Sequence, residues 1–321
     1  MNTIELIKKQ TKGEIGVSVV ALVDAVVRQT KSKTPKDYLT LTLQDKTGTI
    51  KAKVWDWAGD CPPAGTIWKI KFELDFWKDT PQLVIRDFKE LLRENVDEGL
   101  FLPSLTPEEF AFYHKMFNDL VDKIKDEPLR KFVKWTLGTH YPTFFTSTGA
   151  KTNHHARLGG LLEHTCHVAA GALALAEAYK DTPKYDLIDT DLLIAGALLH
   201  DISKIDTYTT ENLVLDYSVQ GQLVLDYDLS PAYLREAYIV ADKPISEMRM
   251  LGLQHILCSH HGKEFSNKPP STFSAWLVHA ADISDAYTDK VATGMPDEDE
   301  VMSKESNWSF GNKIFDERKL V

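Results

Sequence analysis

Cysteine is scarce in this chain of 321 residues: only Cys61, Cys166 and Cys258 occur, with no paired spacing. A disulfide-stapled secreted scaffold is therefore excluded, and reduced thiols in a cytoplasmic protein are expected. Long apolar runs are also missing. No stretch reaches the roughly 18 residues that a membrane span needs, so no membrane partner is expected. The opening residues, Met1-Asn-Thr-Ile-Glu-Leu-Ile-Lys-Lys9, lack a basic region ahead of an apolar core, so no signal peptide is expected either. There is no internal repeat and no low-complexity tract. Positive charge is in deficit, with 37 Lys and Arg against 47 Asp and Glu, which argues at first against a polyanionic partner. The distribution changes that reading: residues 1–92 carry 15 basic against 12 acidic side chains, and the remainder 22 against 35. The front is mildly basic, and part of the acidic excess behind it suits ligands that bound cations would offset.

The length is comfortable for two domains. Residues from about 13 to 90 read as five short strands. Segments 38–45 and 49–57 alternate at period 2 around the turn Asp45-Lys-Thr-Gly48, and β-branched or alternating runs recur at 16–27, 66–74 and 81–88. Five strands in so short a span predict a small barrel or sandwich over 1–92. A linker carrying Gly99, Pro103, Ser104 and Pro107 follows at 93–108, and 109–321 turns to helical period. There Thr106-Pro-Glu-Glu opens the first helix with a cap, proline and early acids. Further helices are predicted near 127–138, 160–180, 191–202, 231–241, 246–262, 271–293 and 312–318.

The helix from Asp191, Leu-Leu-Ile-Ala-Gly-Ala-Leu-Leu, is apolar almost all round, yet its last turn delivers His200, Asp201 and then Lys204. Such a helix is buried, and buried ionisable groups are costly unless paired or bound to metal. Three other apolar helices present His164, His260 with His261, and Asp282. A lone histidine is more often a packed structural residue, but jointly these groups predict a metal site inside an α bundle. Asp285, one turn after Asp282, competes for its role. His154, His155, His167, His255 and His279 are read as packing residues, as supports behind the ligands or as substrate contacts. Mixed imidazole and carboxylate donors suit Mn²⁺, Fe²⁺, Zn²⁺ or Ni²⁺ better than Ca²⁺. An ion of this kind lowers the pKa of a bound water and neutralises phosphate charge, and Lys204 is placed to hold a non-bridging phosphate oxygen.

His164, His200-Asp201 and Asp282 resemble the H…HD…D signature of the HD-domain metal-dependent phosphohydrolases. More narrowly, Gly159-Gly-Leu-Leu-Glu-His-Thr, His200-Asp-Ile-Ser-Lys and Ser259-His-His-Gly resemble the YhaM-type 3′→5′ exoribonucleases, in motif and domain order over nearly the whole chain. The resemblance implies an N-terminal five-stranded OB-like β-barrel followed by an all-α HD-domain bundle. It also implies a cytoplasmic enzyme acting on single-stranded RNA, with single-stranded DNA as a second substrate class, and one or two ions with Mn²⁺ favoured over Fe²⁺, Ni²⁺, Co²⁺, Mg²⁺ or Zn²⁺. Asp201 and Lys204 would be catalytic. Two departures stand out. Ser203 occupies a position that is usually glycine in the family, and Asp226 lies in the segment where a histidine is expected, either as a carboxylate ligand to a second metal in its place or with a weakened second site as the outcome.

OB-folds bind single strands through aromatic stacking and a basic groove. Lys51, Lys53, Trp55 and Trp57, two apart along one strand, are expected to share a nucleic-acid-binding face; Tyr38, Phe76 and Trp77 are further candidates. Homo-oligomerisation is compatible with the sequence. An alternative reading is an HD phosphohydrolase acting on nucleotides or cyclic dinucleotides, with the barrel as a regulatory module. A third is a non-catalytic binding protein with a degenerate HD scaffold, against which the intact His-Asp pair, Lys204 and Asp282 argue.

Overall fold

The computed structural model describes residues 3–320 apart from 79, 153, 225, 267, 297, 304, 305, 308 and 310. The chain divides into two units, Met1–Ser104 with Thr209–Asp216, and Leu105–Tyr208 with Tyr217–Val321.

In the first unit, α1 (Ile4–Lys8) precedes five strands: β1 (Ile15–Gln29), β2 (Asp37–Asp45), β3 (Gly48–Trp55), β4 (Ile67–Trp77) and β5 (Thr80–Leu91). They close into a barrel in the order β1-β2-β3-β5-β4, with β3 and β5 parallel and the other pairs antiparallel. The predicted five-stranded OB-like barrel is formed. Closure depends on β1, whose first half pairs with β4 and second half with β2, the register shifting between Leu22 and Asp24. Such a bulge bends a strand and strengthens its twist. Period 2 sends Leu39, Leu41 and Leu43 of β2 and Ile50, Ala52 and Val54 of β3 into the interior beside Trp68, Ile70 and Phe72.

The stretch expected as a linker does not stand apart up to Ser104. Phe101 is fully buried against Ala21, Ile67 and Leu213, and the Gln44 amide donates to the carbonyls of Phe101 (2.9 Å) and Leu213 (3.1 Å). Among the glycine and proline breakers sit apolar anchors, and burial of Phe101 outweighs the breakers.

The second unit is helical: α2 (Pro107–Val121), α3 (Glu127–Trp135), α4 (Gly160–Glu177), α5 (Thr190–Leu199), α6 (Lys204–Thr207), α7 (Val219–Leu223), α8 (Asp226–Val240), α9 (Glu247–Ser259), α10 (Gly262–Phe265) and α11 (Phe273–Thr293). Thr106 and Glu109 form the capping box that opens α2. Helix α8 starts five residues before the expected Pro231, which lies inside it. The expected helix at 312–318 is replaced by a single 3₁₀ turn, Glu317–Lys319. No helix among the described residues is long and apolar enough to cross a membrane.

Helix α5 is the central post, buried from Leu193 to Leu199 and packed on α3, α4, α9 and α11. Gly196 sets its approach to α9, because a Cβ there would lie 2.4 Å from Ile256 Cδ1. Gly138, by contrast, has open space around it. Gly196→Ala should therefore overpack the core and destabilise by about 1–3 kcal/mol. Gly138→Ala should be neutral or stabilising by up to about 1 kcal/mol. Calorimetric melting of the two variants beside the wild type checks this; a Gly196→Ala melt at the wild-type temperature would contradict the packing.

Candidate metal centre

The ends of α5 and α9 use one device twice. The last carbonyls of a helix have no partner within it. His200, at the cap of α5, donates Nδ1–H to the Ala197 carbonyl (2.7 Å), and His260, at the cap of α9, donates Nδ1–H to the Leu257 carbonyl (2.8 Å). A carbonyl oxygen only accepts, so both rings carry a proton on Nδ1 and turn Nε2 inward. His164, on the first turns of α4, is set by a carboxylate instead: Asp285 Oδ2 lies 2.6 Å from its Nδ1. All three rings are fully buried.

The inward atoms converge. His164 Nε2 lies 3.2 Å from His200 Nε2, 3.2 Å from Asp201 Oδ2 and 3.3 Å from Asp282 Oδ1, while His200 Nε2 lies 3.2 Å from Asp201 Oδ2. Donors about 2.0–2.2 Å from a common cation stand about 3 Å apart, so these separations are those of ligands around an ion. Two further atoms point the same way. Asp201 Oδ1 and His260 Nε2 are buried, 3.5 Å apart, and neither has a hydrogen-bond partner. Unsatisfied buried polar atoms are expensive, and a divalent cation would satisfy both. The donor set therefore fits a metal.

Asp226, at the start of α8, and His261 come within 4.8 Å of Asp201, ligand atom to ligand atom, and His260, His261 and Asp282 form a further such group. The expected donors His164, His200, Asp201, Asp226, His260, His261 and Asp282 are thus brought into overlapping sets that share Asp201 and Asp282. The two departures from the family pattern touch each other. Ser203 is fully buried, its hydroxyl donates to the Asp226 carbonyl (2.9 Å), and it meets Ser230 Oγ at 2.9 Å. Lys204 is almost fully buried, with Nζ 2.7 Å from Asp201 Oδ2.

Asp285 is not in the inner set. It stands behind it, holding His164 Nδ1, His155 Nε2 (2.7 Å) and His167 Nδ1 (3.0 Å). Behind that again, Glu163 accepts two hydrogen bonds from Arg157 (2.7 and 2.9 Å) and one from the Tyr113 hydroxyl (3.1 Å). His155 and His167 are expected among the residues behind the ligands, but Glu163, Arg157 and Tyr113 are not singled out by the sequence, and Asp285 reads only as a rival of Asp282, although Glu163 adjoins His164 and Asp285 lies one turn after Asp282. Burial works to raise Glu163, but His155 and Arg157 outweigh it and bring it down to about 2. Burial likewise opposes the ionised forms of Asp282 and Asp285, and the surrounding imidazoles hold both well below the usual carboxylate range. His154, under burial and the Lys204 charge, is pushed down to about 3.

On the barrel, Lys51, Lys53 and Trp55 point outward from β3 as expected. Trp57 does not join them. The strand ends at Trp55, Asp56 takes a left-handed φ of 54°, and Trp57 turns to pack on Trp68 and Phe88. Its place is taken by Tyr38, whose ring is 4.9 Å from Trp55, and by Trp77, since Lys53 Nζ lies 5.5 Å from the Trp55 ring and 5.4 Å from that of Trp77. Trp55 and Trp77 are 44% and 63% exposed, leaving faces open to a ligand.

Residues 161–287 match the HD domain family. The chain is 28% identical over 259 residues to the 3′-5′ exoribonuclease YhaM of Bacillus subtilis (strain 168), covering 78% of this chain and 79% of that protein. It is 26% identical over 313 residues to the 3′-5′ exoribonuclease YhaM of Listeria welshimeri, covering 94% and 93%. The solved second OB-fold domain of replication protein A from Methanococcus maripaludis aligns with 27% of this chain and 93% of that one at 16% identity, with a TM-score of 0.23.

Burial opposes protonation of His164, yet Asp201, Asp282 and Asp285 raise its pKa well above the ordinary 6.5. Without metal, the protonated ring adds stability below its unfolded value, and that contribution is lost as pH rises through the raised folded value. A metal needs the same nitrogen deprotonated. Metal affinity should therefore rise with pH, about tenfold per unit for each proton released. Calorimetric Mn²⁺ titration in buffers of different ionisation enthalpy measures that release. In the same titration Asp201→Ala should abolish binding, and Asp285→Asn, which alters the support of His164, should weaken it about 10–100-fold.

Proposed function

We propose that this chain is a metal-dependent exoribonuclease that hydrolyses the phosphodiester at the 3′ end of single-stranded RNA, in the cytoplasm, and accepts single-stranded DNA as a second substrate. The observation that carries this reading is the buried convergence of His164, His200, Asp201, His260 and Asp282, within a chain similar over most of its length to proteins named 3′-5′ exoribonuclease. The second support is the barrel's outward Tyr38, Lys53, Trp55 and Trp77, since aromatic faces beside cations suit unpaired bases.

An ion held by these side chains would supply an activated water and offset phosphate charge. The protein's own groups do the rest. Asp201 presents one oxygen to the His164 and His200 rings and the other toward His260. The Lys204 ammonium, fixed against Asp201, is placed to hold a non-bridging oxygen as negative charge builds up in the transition state. Asp226, with His261, would extend the set to a second ion, with Mn²⁺ preferred because its added donor is a hard carboxylate.

A time course on 3′-labelled and 5′-labelled single-stranded RNA in Mn²⁺ tests the reading. Labelled mononucleotide should leave the 3′ end at once while the 5′-labelled strand shortens stepwise. EDTA should stop both, and Asp201→Ala should slow them more than about 100-fold. Intact RNA in Mn²⁺, Mg²⁺, Ni²⁺ and Co²⁺ would overturn the reading in favour of a small-nucleotide phosphohydrolase. For the barrel, Trp55→Ala with Lys53→Glu should raise KM for RNA about tenfold or more, while leaving hydrolysis of bis(p-nitrophenyl) phosphate unchanged. A matching loss on that small ester would remove the barrel face from strand binding.

A further inference from the structure

One imidazole beside the centre is left out of every ligand group. His154 has its ring 5.6 Å from that of His164, tilted by 50°, and close enough to Lys204 and Asp282 for both charges to act on it. Its Nδ1 is buried without a hydrogen-bond partner. Among the described residues, no set of three converging ligand atoms includes it. A ligating histidine almost always spends its other ring nitrogen on a carboxylate or carbonyl. His164, His200 and His260 do so, and His154 does not.

The chain invests in holding this ring where it is. His155 takes a left-handed φ of 55°, an unusual conformation for a side chain of that size. It is fixed from three sides: Nε2 on Asp285 (2.7 Å), the backbone N–H on Asp289 (3.1 Å), and a carbonyl so close to Gly160 that a Cβ there would lie 2.1 Å from it. Gly149 closes on its Cβ, where an added methyl would stand 2.9 Å away. Strained backbone fixed this firmly is concentrated where a neighbouring group must be aimed. His154 is the residue that adjoins it.

We infer that His154 is a further catalytic residue, donating a hydrogen bond to the phosphoryl group of the substrate beside Lys204. This rests on the phosphodiesterase reading above. The contact is assigned to the phosphoryl oxygens and not the base or sugar, because the ring stands beside that of His164, one of the donors that would hold the ion against the phosphodiester.

Three measurements on His154→Ala and His154→Gln test it: Mn²⁺ affinity by calorimetry, kcat and KM on single-stranded RNA, and turnover of bis(p-nitrophenyl) phosphate. His154→Ala should keep Mn²⁺ affinity within about twofold and lower kcat on both substrates about 10–100-fold, the worth of one hydrogen bond to a charged group. His154→Gln, which retains an N–H, should recover part of the loss. Unchanged kcat on both substrates would overturn the inference while leaving the nuclease reading intact. Weakened Mn²⁺ affinity would overturn it by making His154 a ligand or a prop, and a loss confined to RNA would move its contact to the nucleoside. Wild-type protein inert on RNA but active on the small ester would remove the nuclease reading, and the ester would still decide the role of His154.

Discussion

Two imidazole nitrogens facing each other across 3.2 Å organise the second unit. His164 and His200 both turn Nε2 inward, because Asp285 and the Ala197 carbonyl occupy their other nitrogens. Two such atoms with Asp201 and Asp282 between them, all buried, are untenable without a shared positive charge. A proton can serve, as the upward displacement of His164 shows. A divalent ion serves better, since it also engages the orphaned Asp201 Oδ1 and His260 Nε2. The apolar character of α5 follows from the same requirement: a centre that works by desolvated charge needs a dry wall behind it, and α5 supplies one from Leu193 to Leu199.

Much of this was legible in the sequence because it has a period or a contradiction in it. The five strands announced themselves by alternation, and α5 by an apolar run ending in His-Asp-x-x-Lys. Whatever depends on where the chain turns was not legible. Trp57 has the spacing to share a face with Trp55, but spacing counts only while the strand continues, and it stops at Asp56. Phe101 sits among breakers, and no local pattern says that it joins Ala21, Ile67 and Leu213 in a cluster of their own. Pro231 looked like the start of a helix whose first turn is held from a distance by Ser203, through the Asp226 carbonyl and the Ser230 hydroxyl.

The supporting shell illustrates the limit most clearly. Asp285 could be read only as a competitor of Asp282, because both lie on α11 a turn apart and both are carboxylates. Their roles separate by which nitrogen of His164 each faces, Nε2 for Asp282 and Nδ1 for Asp285. That difference lives in ring orientation, which a linear pattern does not contain. The glycine-rich entry to α4 has the same character: Gly159-Gly160 looks like a generic start, yet Gly160 is required by the carbonyl of His155 pressed against it.

Ser203 and Asp226 looked like two unrelated departures and are one local arrangement. A serine hydroxyl added beside the His-Asp pair needs an acceptor, and it finds one in the carbonyl of Asp226. The bond fixes the first turn of α8 and with it the place from which the Asp226 carboxylate approaches Asp201 and His261. Replacing an imidazole donor by a carboxylate adds a negative charge next to Asp201, and Lys204, buried and ion-paired there, is the cation that tolerates it. In the proposed enzyme that exchange would enter the outer set, which meets the inner one at Asp201.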